Sequence, residues 1–284
     1  MEDVSDQLGE FLRARRSALT PAGVGVPTYG ETRRVPGLRR EEVAQLAGIS
    51  VKYYTRLEQG EGGHVSESVL ESLGNALQLN AHERAHLLRL ARPEHTRLVR
   101  RPTGVEEVRP TLLALVDSAA DQAAVIIGRY FDLIGGNRLG YALFGVDPGA
   151  RVNMLKQTFL DPSARDLLVD WESNAIESAA YLRLATGDLP GDPIMAELIG
   201  ELTIQSPEFA RIWATQPVNE CGHGVRRFNH PMVGPLTLNE ESLRLPSDPG
   251  QRILFFGADP GSDSADRLRL LDSLINTRVP LSDN

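Results

Sequence analysis

The chain is short of the features that would tie it to a membrane, a secreted scaffold or a metal centre. Cys221 is the only cysteine in 284 residues, so no internal disulfide can form. Aromatic residues make up only 6%. The longest apolar runs, VIIG from Val125 and ILFFGA from Ile253, fall far below the ~20 residues of a membrane-spanning helix. The start, MEDVSDQLGE, is acidic and has neither the basic beginning nor the apolar stretch of a secretory signal. These absences predict a cytoplasmic protein with no membrane partner. A G-x-S-x-G elbow, a phosphate-cradling glycine loop and an identifiable carboxylate couple are also lacking, so no catalysis is expected. Cys221, His223 and His230 lie within ten residues, but C-x-H-x6-H is not a common zinc spacing and no CxxC accompanies it. No metal and no cofactor are expected there.

What is present is ordinary globular composition, 41% hydrophobic and 24% charged, in a chain long enough for two cores. The net charge of −8 is unevenly spread. Residues 1–101 sum to +2 and residues 102–284 to −10, while Arg33 to Arg56 carries +4. Phosphate attraction decays over roughly 8–10 Å, so a local basic patch outweighs the total. Periodicity predicts a helix over 5–19, a Gly/Pro-rich loop over 20–37, and helices at 38–47, 51–59, 66–78 and 81–91. The basic, proline-bearing stretch 93–104 reads as a linker between a domain at 1–92 and one at 105–284. Beyond it a helix at 106–118, strands within 123–136, mostly helix over 150–215 with breaks at Asp161-Pro162, Gly187 to Pro193 and Ser206-Pro207, strands at 225–230, 234–245 and 251–257, and a helix at 263–275 predict an α+β domain with an antiparallel sheet.

The segment Leu38 to Gly60 reads as a helix-turn-helix. Leu38, Val43, Leu46 and Ala47 form an apolar stripe, Ala44 permits a close crossing, Gly48 supplies the turn and Ser50 caps the second helix. Ile49, Tyr54 and Leu57 then face the core, which leaves Val51, Lys52, Tyr53 and Arg56 outward, where such helices meet base edges in the major groove. Arg33, Arg34, Arg39 and Arg40 suit phosphate contacts, which position without specifying. A basic face is usually only solvated. The coincidence of motif, five-helix module and local charge favours double-stranded DNA as the partner.

Residues 8–91 resemble the Cro/repressor-type (XRE) helix-turn-helix family. More narrowly, LGEFLRARR, TRRVPGLRREEVAQLAGIS, VKYYTRLEQG and ERAHLLRLA are similar to the MmyB-like transcription regulators. FLDPSARDLLVDWE, ELTIQSPEFARIWA, RRFNHPMVGPLTLNEESLRLPSDPGQRI and SADRLRLLDSL resemble that family's second domain. The resemblance implies a lambda-repressor-like head, a PAS-like domain enclosing a fatty-acyl-like molecule, and DNA binding as a homodimer. It departs at Leu133-Ile134-Gly135-Gly136-Asn137, where relatives often carry a tryptophan before the asparagine, and at the less basic VNECGHGVRR. The first departure is expected to enlarge or reshape a pocket, or to loosen the sheet edge.

In the second domain Tyr130, Trp171, Trp213 and Phe228 are candidate ligand walls, although core packing is the commoner fate of such residues. A carboxylate ligand also needs a cation or donor. With period two, Arg226, Phe228 and His230 share one face of a strand and Arg227 and Asn229 the other. An inward Phe228 face nominates Arg226 and His230; the opposite register exchanges them. Two rivals stay open: a ligand-free dimerisation or protein-docking module behind the DNA-binding head, and an enzyme with an appended head.

Overall fold

A computed structural model describes residues 4–26, 37–61, 65–91, 106–189, 191–219 and 222–277. Arg33, Arg34, Cys221 and the 93–104 stretch lie outside the described residues. The chain divides into two compact units. One takes residues 1–100 together with 179–200 and 210–220, and the other takes 101–178, 201–209 and 221–284.

The first unit opens with α1 (Val4–Ala18) and a short 3-10 turn (Ala22–Val24), then α2 (Arg40–Leu46), α3 (Val51–Glu58), α4 (Glu67–Ala76) and α5 (Ala81–Ala91). Each start has a local cause. The Arg39 N–H donates to the Glu42 carboxylate at 2.6 Å at the head of α2. Ser50, Ser66 and Asn80 accept N–H bonds from the first turns of α3, α4 and α5. Between α2 and α3, Gly48 sits at φ +65, where a side chain would be strained, and the Ile49 N–H closes on the Ala44 carbonyl at 3.0 Å. Phe11, Leu12, Leu38, Val43, Tyr54, Leu57 and Leu73 are fully buried.

Leu46 departs from the expected stripe and is 41% exposed. At ~100° per residue, Val43, Ala44 and Ala47 fall within one arc, and Leu46 lies about 100° from its centre. The same core also contains Leu184 and Val218, far along the chain.

In the second unit α6 (Pro110–Asp117) precedes β1 (Ala123–Ile127) and β2 (Leu133–Gly136). Helices α7 (Arg138–Leu143), α8 (Met154–Leu160) and α9 (Ser163–Leu167) follow. The long helix α10 (Trp171–Asp188), α11 (Pro193–Gln205) and α12 (Pro207–Ala214) come next, and the two units share their residues. The chain then returns as β3 (His223–His230), β4 (Gly234–Arg244) and β5 (Arg252–Gly257), and ends in α13 (Asp263–Thr277). The five strands form one antiparallel sheet in the order β2-β1-β5-β4-β3. This is the α+β arrangement with an antiparallel sheet expected from the strand–helix–strand pattern.

All five residues of β1 are buried, because both faces of that strand are covered. Leu112 and Val116 of α6 pack with Ala124, Ile126 and Ile253 on one face, and α7 lies against β1. Phe144, Phe228 and Phe256 meet edge-to-face with ring centroids 5.4–6.0 Å apart.

Asn137 is the knot of this unit. Its side-chain oxygen accepts the Ala124 and Gly140 N–H groups, and its amide donates to the Val116, Ala119 and Gln122 carbonyls. Before it, a Cβ on Gly136 would lie 2.7 Å from the Ala124 carbonyl oxygen. The backbone of β1 already occupies the place of a side chain there.

Candidate functional site

The outward face of α3 carries Val51, Lys52 and Arg56, all exposed, while Tyr54, Leu57 and Glu58 are buried. Tyr53 is half-buried and packs against the core, so it offers an edge rather than a free ring. Arg56 donates to the Glu61 carbonyl at 3.0 Å and stands 3.9 Å from its carboxylate, an exposed engagement that a phosphate or base can replace.

Beneath this face lies a group that the sequence reading did not single out. The Glu58 carboxylate is inaccessible to solvent and accepts from Arg16 of α1 at 2.6 Å and from Arg40 of α2 at 2.6 Å. One carboxylate thereby ties three helices and sets the seat of α3. Arg16 also donates to the Leu38 carbonyl at 2.9 Å. Desolvation works against its charge, yet Glu58 holds the guanidinium above its ordinary range. Burial likewise pushes the nearby Tyr54 hydroxyl up. A signal was available: Glu58 follows Tyr54 at i+4 and Leu57 at i+1, which puts a charge on the apolar face, and a buried charge requires a partner. Arg40, expected at a phosphate, is here a partner of Glu58 as well as a partly open cation. Its side chain is 45% exposed while one nitrogen serves Glu58. Arg39 is half-buried at the start of α2.

In the second unit β3 has its Phe228 face inward. Arg226 is bonded there to Glu240, Glu177 and Asn174, so its charge is balanced by two carboxylates. These partners raise its pKa against the opposing effect of burial. Arg227, on the other face, pairs with Asp170, and this pairing lowers the Asp170 carboxyl. His230 is buried, with Nε2 3.0 Å from the Ala142 carbonyl and Nδ1 accepting the Met232 N–H at 3.3 Å. That pattern describes a neutral ring with Nε2 protonated.

Trp171 donates to the Thr158 carbonyl at 2.9 Å and lies under the Arg165 guanidinium at 3.8 Å. Tyr130 is half-buried, and its carbonyl accepts the Asn153 amide. Trp213 belongs to the first unit, where Arg183 stacks on it at 3.6 Å. Each nominated ligand residue thus has a partner within the protein. A groove of about 620 Å³ lies elsewhere in the second unit. Val146, Val152 and Leu160 supply its apolar floor, and Lys156, Gln157 and Asp147 its polar rim. Lys156 pairs with Glu201 at 2.6 Å, and Gln157 donates to the Phe144 carbonyl at 2.9 Å. Among the described residues no cluster of three His, Cys, Asp or Glu side chains could hold a metal ion. Among them, too, no helix is long and apolar enough to cross a membrane.

A helix-turn-helix seated on a helical core, together with an α+β unit, is the make-up of a DNA-binding transcription regulator with a ligand-binding domain. Comparison with family models agrees for both parts. Residues 7–87 match a helix-turn-helix domain model, and residues 108–271 match the MmyB-like transcription regulator ligand binding domain. The second match spans more than half of the chain, which belongs to the MmyB-like transcription regulators. No curated protein matches it.

Proposed function

We propose that the protein binds a specific double-stranded operator as a homodimer, with α3 in the major groove, and that a small hydrophobic, fatty-acyl-like ligand in the second unit alters that binding. It is read as a regulator and not as a catalyst. The observation that carries the DNA reading is the division of α3. Val51, Lys52 and Arg56 stand exposed, while Tyr54, Leu57 and the Glu58 clasp hold the opposite side. Val51 suits a thymine methyl, and Lys52 and Arg56 suit guanine O6 and N7. Arg39 and the open side of Arg40 suit phosphates.

For the ligand, the groove on Val146, Val152 and Leu160 offers apolar contact beside Lys156. A ligand carboxylate there would take the place of Glu201 at the ammonium group. Only a ligand that distinguishes two arrangements of the protein can change DNA affinity.

The operator is found by selection from a randomised duplex pool and tested by mobility shift. Lys52→Ala and Arg56→Ala are expected to lower discrimination between selected and random duplex by about 1–3 kcal/mol for each lost base contact. Unchanged discrimination in both variants removes α3 from base readout. Native mass spectrometry of the purified chain reports dimer and bound lipid together. A dimer that stays free of small molecules when laurate is added supports the ligand-free dimerisation module instead.

A further inference from the structure

The match to the ligand-binding domain runs unbroken from 108 to 271, yet residues 179–200 and 210–220 belong to the same compact unit as the helix-turn-helix. Helix α10 is one continuous helix whose residues are shared by the two units. Within the first unit its last ten residues and the segment after α12 are built into the helical core. Leu184 and Val218 are buried in the cluster that holds Phe11, Leu12, Leu87 and Leu90.

Polar contacts close the same place. Arg15 of α1 pairs with Glu83 of α5 at 2.6 Å and donates to the Gln216 carbonyl. The His86 ring stands edge-on to Phe11 at 5.2 Å. A Cβ on Gly187 would lie 3.0 Å from His86 Nδ1 and 3.3 Å from Arg89 Nε, so any side chain there presses on both and displaces them by a few tenths of an ångström or more. Arg183 donates to the Trp213 carbonyl at 2.8 Å while stacking on its ring, which ties the two added segments to each other.

We infer that the ligand-binding region supplies a wall of the DNA-binding head, latched through Gly187, His86, Arg15 and Gln216, and that α10 is the element through which a change in that region reaches α1 and α5. The coupling half of this inference rests on the reading that the region takes a ligand; the wall stands without it. An energetic route needs a demonstrated dependence rather than proximity.

The test is hydrogen exchange by mass spectrometry on the full chain. Gly187→Leu drives a side chain at His86, and Arg183→Gln removes the stacked cation. Both variants are expected to exchange about tenfold faster in peptides over 7–16 and 83–91, with peptides over 123–127 and 252–257 unchanged. Acceleration confined to 179–220, or spread evenly over every peptide, overturns the wall. Mobility shift on the same samples separates the readings. Head protection that ignores Gly187 in a wild type that binds its operator sinks this inference alone. A wild type that binds no DNA while the protection still responds sinks the operator reading alone.

Discussion

Each unit holds a buried arginine–carboxylate cluster, and the two are opposites in sign. In the helical unit one carboxylate, Glu58, serves two arginines, Arg16 and Arg40. In the sheet unit one arginine, Arg226, serves two carboxylates, Glu177 and Glu240. The same device fixes three helices in one case and joins α10 to the sheet in the other. It also leaves a positive excess beneath the exposed face of α3 and a negative excess in the sheet unit. The uneven charge along the chain is thus built into the two interiors as well as spread over the surface.

The comparison is broken most severely by Glu58→Gln. Two arginines then face a neutral amide, Arg16 largely shielded and Arg40 half-exposed, and the loss expected from urea unfolding is about 3 kcal/mol or somewhat more. Arg226→Met should cost somewhat less, about 3 kcal/mol, since Glu177 keeps access to water and only Glu240 is left deeply buried. Its neighbour makes the internal control. Arg227→Ala removes an exposed pair with Asp170 and should leave the unfolding midpoint where it is. Equal effects at 226 and 227 would mean that burial is not what gives the sheet cluster its weight.

A milder perturbation reaches the helical unit alone. His86 is buried among Arg89, Arg183 and Arg15, with Glu83 and Asp188 the nearby acids on α5 and α10. Burial first, and then those three cations, push its pKa down to about 3. The unfolded chain takes up a proton near pH 6.5 and the folded one does not, so stability falls as pH drops below 6.5 and levels off near 3. The slope is about 1.4 kcal/mol per pH unit. In His86→Phe this part of the pH dependence should vanish from urea midpoints measured between pH 7 and 5.

Much of the fold was legible because its causes are local. Ser50, Gly48 and the Asp161-Pro162 and Ser206-Pro207 breaks act within a few residues, and the elements begin and end at or beside them. The inward face of β3 followed from period two once Phe228 was taken as core. The protein partners of the nominated ligand residues were less legible. Tyr130, Trp171, Trp213, Arg226 and His230 are the right types for a pocket, yet each spends its side chain or backbone on a protein partner. A groove in the second unit is lined by Val146, Lys156 and Gln157, none of which stands out in a linear reading.

Helix periods, caps and the exposed side of α3 were determined along the chain itself, where neighbours at i+3 and i+4 decide which way a residue faces. Which charge meets which, and that Leu184 and Val218 complete a core begun at Leu8, were decided only by folding. Arg16 and Glu58 are 42 residues apart and Arg15 and Gln216 are 201 apart. Pattern within a helix says that a buried charge must find a partner, but only the packing of distant segments says which one arrives.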